Sequence, residues 1–145
     1  MGFDVEKFQA TSFVFREEAV PVPKLKDFFG EGEEPVWKVR NLTGEEVFVV
    51  NEAKERNDRR NELIEGVAYG QKKERIEAIK EMAGNLPEMA PSEYVRRLEM
   101  LTIASVDPMI QKETAIKLAN FSGEIFTHLT NRILVLTGLG KEPGK

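Results

Sequence analysis

Val36-Trp-Lys-Val-Arg-Asn-Leu-Thr-Gly-Glu-Glu46 changes its period in mid-phrase. Up to Arg40 the residues alternate, with Val36, Lys38 and Arg40 on one face and Trp37 and Val39 on the other, which predicts a strand whose Trp37–Val39 face lies on a core. From Thr43 the logic is helical. Thr43-Gly-Glu-Glu46 is a capping box: the Thr43 hydroxyl accepts from the Glu46 amide while the Glu46 carboxylate accepts from the Thr43 amide. This border divides one domain, residues 1–140, into a β-rich element over 1–42 and a helical part over 43–138. The expected fold is α+β, predominantly α: an N-terminal β-hairpin or small antiparallel sheet followed by a bundle of about four or five helices.

Upstream of the border, Thr11-Ser-Phe-Val-Phe-Arg16 has the β-branched and aromatic content of a strand, and Glu17-Glu18 interrupts it. Ala19-Val-Pro-Val-Pro23 suits an edge strand or an extended arm, because proline cannot donate to a ladder. Lys24-Leu-Lys-Asp-Phe-Phe29 reads as one helical turn and Gly30-Glu-Gly-Glu-Glu-Pro35 as an exposed turn. Downstream, the helix begun at Thr43 should run to about Val67 or Ala68 and end at Gly70. Its middle, Lys54 to Glu62, holds no apolar residue, which predicts a stretch that is solvent-exposed or projects from the body.

Further helices are expected over Gln71–Ala83, with Ile76, Ile79 and Met82 at helical spacing, and from Pro91-Ser-Glu93, with Val95, Leu98, Leu101, Ala104 and Val106. Gly84-Asn-Leu-Pro87 separates the two. Asp107 and Pro108 suit the N-cap and first position of the next helix, which carries Ile110, Ala115, Ile116 and Ala119. Ser122 caps the last, running to Thr137 with a stripe of Phe126, Leu129, Ile133 and Leu136, and Phe121 is expected to staple against Phe126. Gly138 is placed for a left-handed C-cap, with a disordered tail over 139–145.

Composition narrows the function. A chain of 145 residues, 41% apolar, can bury the core of one domain. Its longest aliphatic-aromatic runs, such as Val47–Val50 and Ile133–Leu136, are far short of the ~20 residues a bilayer span requires, so no membrane partner is expected. The opening Met-Gly-Phe-Asp-Val-Glu-Lys lacks the basic and apolar regions of a secretory signal, and with no Cys in the chain a cytoplasmic location is expected. The net charge is −4, with 10 basic and 15 acidic residues up to Gly70 and 11 and 10 after it. That balance argues against nucleic acid as the main partner, since a phosphate backbone rewards excess Lys and Arg.

The inventory for catalysis is thin. With no Cys and a single His, Cys-His nucleophilic chemistry and most zinc sites are excluded. His128, one turn after Glu124, has no second His to complete a metal site and reads as a surface or half-buried residue. Gly138-Leu-Gly-Lys141 follows a helix and has Glu142 where a phosphate loop needs Ser or Thr. The pairs Glu17-Glu18, Glu33-Glu34 and Glu45-Glu46 lie in polar contexts that do not tune a carboxylate for acid–base work. No catalytic residue, cofactor or metal is therefore assigned, and a binding protein is expected rather than an enzyme. The candidate partner-binding residues are Phe28 and Phe29, adjacent aromatics on a short element that cannot easily both face inward, and Lys54, Arg56, Arg59 and Arg60 on the polar helix. Phe13, Phe15, Trp37, Phe121 and Phe126 read as core.

Three phrases carry a resemblance: Val22-Pro-Lys-Leu-Lys-Asp-Phe-Phe29, Pro35-Val-Trp-Lys-Val-Arg-Asn-Leu-Thr-Gly-Glu-Glu46, and Phe126-Thr-His-Leu-Thr-Asn-Arg-Ile-Leu-Val-Leu-Thr-Gly-Leu-Gly140. Together they resemble the tail-assembly chaperones of long-tailed phages and prophages, with Trp37, Arg40, Thr43, Glu46, Thr137 and Gly138 as matching structural positions. The resemblance implies a protein that binds the tape-measure protein, keeps that long helical chain soluble, recruits tail-tube protein and leaves the finished tail. It also implies a second, longer form made by ribosomal frameshifting. Self-association is a further partner class. The alternatives are a structural tail-completion or head-tail joining protein, which stays in the particle, and a helical protein-interaction module unconnected with phage.

Overall fold

The computed structural model describes residues 2–69 and 91–139. Its elements are α1 (Val5–Ala10), β1 (Glu17–Pro21), a 3-10 helix (Pro23–Phe28), β2 (Val36–Arg40), α2 (Gly44–Tyr69), α3 (Ser92–Ala104), β3 (Ser105–Asp107), α4 (Lys112–Phe121) and α5 (Gly123–Thr137). The expected α+β class with a small antiparallel sheet and a helical remainder is what the chain adopts. The expected helix over Gln71–Ala83, its boundaries at Gly70 and at Gly84–Pro87, and the tail from Gly140 lie outside the described residues.

β2 is the centre of a three-stranded sheet of order β1-β2-β3, antiparallel on both sides. Glu17 faces Arg40 and Pro21 faces Val36 across the first pair. The alternation read from the sequence holds: Trp37 and Val39 are buried while Val36, Lys38 and Arg40 are half-buried. Trp37 and Val39 belong to one continuous core with Val20, Leu42, Leu98, Leu101, Phe126, Leu129 and Ile133. The prolines lie at and beyond the end of β1, an edge strand, where a missing donor is tolerated.

The strand boundaries differ from expectation in two places. Thr11–Arg16 is not a strand; β1 begins instead at Glu17, one of the acidic residues expected to interrupt it. Those carboxylates are accepted because cations oppose them. Arg132 of α5 grips Glu18 with a bidentate contact at 2.7 and 2.8 Å, and Lys38 approaches Glu17 at 3.8 Å. The third strand is Ser105–Asp107, so the sheet is not confined to residues 1–42. Because Asp107 is extended there, it does not cap a helix; α4 starts at Lys112 behind Gln111.

Local signals fixed other helix ends as read. Thr43 Oγ1 accepts from the Glu46 amide at 3.1 Å and Glu46 Oε1 accepts from the Thr43 amide at 3.0 Å, closing the capping box. Ser122 Oγ accepts from the Ile125 amide, and Gly138 ends α5 at φ +90° in the left-handed region.

The middle of α2 corrects the expectation of a fully solvated stretch. Val50, Ala53, Asn57, Arg60 and Ile64 are all buried, at spacings of three and four residues that put them on one helix face. Ala53 packs with Val95 of α3, and Asn57 Nδ2 donates to Ser92 Oγ at 3.1 Å. A helix lacking apolar residues for two turns can thus dock on α3 through polar side chains that find hydrogen-bond partners. Among the described residues, no helix is long and apolar enough to cross a membrane.

Candidate partner-binding surfaces

The β2–α2 corner gathers the six positions singled out as structural marks. Trp37 Nε1 donates to the buried Ser105 hydroxyl at 2.9 Å, joining β2 to β3. Arg40 grips Glu46 through two hydrogen bonds at 2.7 and 2.9 Å and also donates to the Ile103 carbonyl, so one guanidinium ties β2, α2 and α3 together. The Arg40 contact, ahead of the cap bonds from Thr43, holds the Glu46 carboxyl below the usual carboxylate range despite partial burial. Thr137 Oγ1 accepts from the Leu42 amide at 3.0 Å and donates to the Ile133 carbonyl, locking the end of α5, with its Gly138 cap, to the same corner. Trp37, Arg40 and Thr137 each tie one element to another here.

The acidic pairs follow the same logic. Glu17, Glu18 and Glu46 face Lys38, Arg132 and Arg40, and among the described residues no group of three His, Asp or Glu side chains is placed to share a metal ion. His128 is exposed.

Phe28 and Phe29 part company at the end of the 3-10 helix. Phe29 packs against the core, whereas Phe28 is 75% exposed. Its ring meets Phe121 edge-to-face, with centroids 6.1 Å apart and planes at 84°. Phe121 was expected to lie in the core stapled to Phe126; it is instead 57% exposed, while Phe126 turns inward to Tyr94. Beside the pair, Lys24 reaches Glu124 at 3.2 Å, fastening the 3-10 helix to the start of α5. The result is an aromatic edge built from two elements far apart in sequence. Adjacency of two aromatics pointed to Phe28; nothing local pointed to Phe121 as its partner.

The basic candidates do not form one surface. Lys54, Arg56 and Arg59 are exposed, but Arg60, expected to dock a partner, is buried on the face of α2 that packs inward. At about 100° per residue, Lys54 and Arg56 stand roughly 160° apart around the helix. Glu52, Glu55 and Glu62 intervene on the exposed side, so no cationic face results.

A second apolar surface was not foreseen. Residues 2–15 form an arm in which α1 has no buried residue and Phe3, Val5, Phe8, Phe13 and Val14 are exposed. Phe13 and Phe15, expected in the core, lie here and touch each other at 4.9 Å. Among the described residues, the arm is anchored at its root. Phe15 lies under the Arg40 guanidinium at 4.1 Å, the Arg16 amide donates to Asn41 Oδ1 at 2.7 Å, and Arg16 Nε donates to the Leu136 carbonyl at 2.8 Å.

The chain matches no protein-family model, no curated protein and no solved structure.

Proposed function

We propose that this chain is a tail-assembly chaperone of a long-tailed phage, acting by binding and not by catalysis, and that Phe28 and Phe121 form an edge on which an apolar helix of the tape-measure protein docks. The observation that carries the reading is the exposed edge-to-face pair itself. Each ring left in water forgoes about 25 cal/mol per Å2 of apolar surface, and a pair held together by two separate elements concentrates that gain in one place. A helix laid across it would put its apolar stripe on the rings and its polar flanks toward Lys24 and Glu124, the arrangement of helix-in-groove recognition. Covering such stripes keeps a long helical partner from self-associating in the bacterial cytoplasm, and release during tube assembly hands it to the tail-tube protein. The three sequence phrases that resemble the chaperone family support the choice of partner.

Co-expression with the tape-measure protein, followed by pull-down and analysis of purified particles, tests this reading. The expected result is a soluble complex during assembly and no copy of this chain in the finished particle. Retention in the particle would favour a structural tail or joining protein, and failure to form a complex would favour an interaction module outside tail assembly.

A further inference from the structure

We propose that Arg40 is a conformational latch: its guanidinium couples the seating of the N-terminal arm, through Phe15, to the first turn of α2, through Glu46. The terminal nitrogens of Arg40 donate four hydrogen bonds. Nη1 reaches Glu46 Oε1 at 2.7 Å and the Asn41 carbonyl at 2.9 Å, and Nη2 reaches Glu46 Oε2 at 2.9 Å and the Ile103 carbonyl at 3.1 Å. These bonds use every hydrogen on the two nitrogens and so fix the plane of the group. What remains for contact is its flat face. Phe15 takes that face, with Arg40 Cζ 4.1 Å from the ring centroid.

The arm meets the body at this point. Phe13 is 65% exposed and Phe15 36%, and Arg16 then enters a reciprocal pair: its amide donates to Asn41 Oδ1 at 2.7 Å and its carbonyl accepts from the Asn41 amide at 3.0 Å. The next pair along is Glu17 opposite Arg40, the start of the β1–β2 ladder. Phe15 is thus the side chain by which the arm touches Arg40, and Arg16 is where the sheet begins. From the other side, Glu46 grips the same guanidinium while its Oε1 accepts from the Thr43 amide, so one carboxylate serves both the α2 cap and the latch.

The coupling follows from sharing one cation. The Glu46 carboxylate and the electron-rich face of Phe15 both attract the guanidinium, and each holds it where it meets the other. The ring also keeps water from a side chain that is 15% exposed, and a charge-assisted bond is stronger where water is excluded. The other charged groups at the corner are turned elsewhere: Glu17 approaches Lys38 at 3.8 Å and Arg16 Nε donates to the Leu136 carbonyl, while α3 offers Arg40 the Ile103 carbonyl. Neutralising Glu46 therefore loosens Arg40 and, with it, the root of the arm. Removing the Phe15 ring weakens the grip on Glu46. The two effects are reciprocal, because the factor by which protonation of Glu46 weakens the seat of Phe15 is the factor by which an unseated Phe15 strengthens proton binding at Glu46. The proposal uses neither Phe28 nor Phe121 and stands apart from the chaperone reading.

Carbon-13 NMR titration of the Glu46 carboxyl in the full chain tests one direction, and hydrogen exchange at the Arg16 amide tests the other, with circular dichroism as the check on folding. The bonds from Arg40 are the first cause of the low titration of Glu46, so its titration reads the strength of the grip. Phe15→Leu keeps an apolar side chain and removes the aromatic face; Glu46 should then bind its proton about two- to fivefold more tightly, the size of an exposed cation–π contact. Phe8→Leu, whose ring lies on Phe3 instead, should leave the titration where it was. Glu46→Gln keeps a side chain able to close the capping box and removes the charge, and at neutral pH it should speed Arg16 exchange by about the same two- to fivefold factor. An unmoved Glu46 titration in folded Phe15→Leu, an equal movement in Phe8→Leu, or unchanged Arg16 exchange in Glu46→Gln would overturn the proposal.

Discussion

Phe13-Val-Phe15 and Val36-Trp-Lys-Val39 are written in the same kinds of residue, yet one stands in water and the other runs through the middle of the sheet. Both segments carry β-branched and aromatic side chains in alternation. β2 has a strand on each side and α5 beneath it, and the Trp37 indole finds the Ser105 hydroxyl. Among the described residues, the arm has one cation over one ring and a pair of hydrogen bonds at its root. Strand-forming chemistry sets what a segment can do; the partners that topology brings to it decide whether it becomes core.

The largest expected effect that sharpens this contrast is Trp37→Ala, which leaves a cavity and removes the indole donor to Ser105, whose hydroxyl keeps only its bond to the Leu101 carbonyl, and should cost about 3–5 kcal/mol in urea denaturation. Thr43→Ala, which opens the capping box at the start of α2, should cost about 1 kcal/mol by the same measurement.

Smaller again is a pH effect at the corner where the two regions meet. Glu46 is held below the ordinary carboxylate range, first by the hydrogen bonds from Arg40, so the unfolded chain takes up the proton before the folded one does. The stability it contributes is present above about pH 4.3, the ordinary glutamate value, and is lost as pH falls through the lower folded-state value. Glu46→Gln should therefore flatten part of the decline in urea midpoint between about pH 6 and pH 3. An unchanged slope would mean that the Arg40–Glu46 grip does not bear on folding. The smallest effect belongs to the arm: Phe13→Ser, measured on the body's unfolding, should stay within about 0.5 kcal/mol. A cost approaching that of Trp37→Ala would break the comparison.

What could be read in the sequence was what neighbouring residues decide among themselves. The Trp37–Val39 face, the Thr43–Glu46 box, the Ser122 cap and the Gly138 C-cap each need only a few adjacent residues, and each is found where the spacing put it. What depends on distant partners was not legible. Ser105–Asp107 looked like the end of a helix and is a strand because β2 offers an edge to pair with. Asn57 and Arg60 looked like solvated charge and lie buried because α3 packs on that face of α2. At the candidate site, the parting of Phe28 from Phe29 was readable from their adjacency, but Phe121 was misread as core because its ring partner comes from the other end of the chain. The arm was misread for the same reason in reverse: its residues look like core, and among the described residues nothing covers them.

The central claim is that the Phe28–Phe121 edge is a docking surface and not leftover packing. Pull-down of the co-expressed tape-measure protein by the chain carrying Phe28→Ser and Phe121→Ser, set beside the unsubstituted chain and with thermal unfolding recorded for both, tests it most directly. The expected result is a lost or strongly weakened complex with an unfolding midpoint close to that of the unsubstituted chain. Undiminished capture of the tape-measure protein by the folded double variant would contradict it.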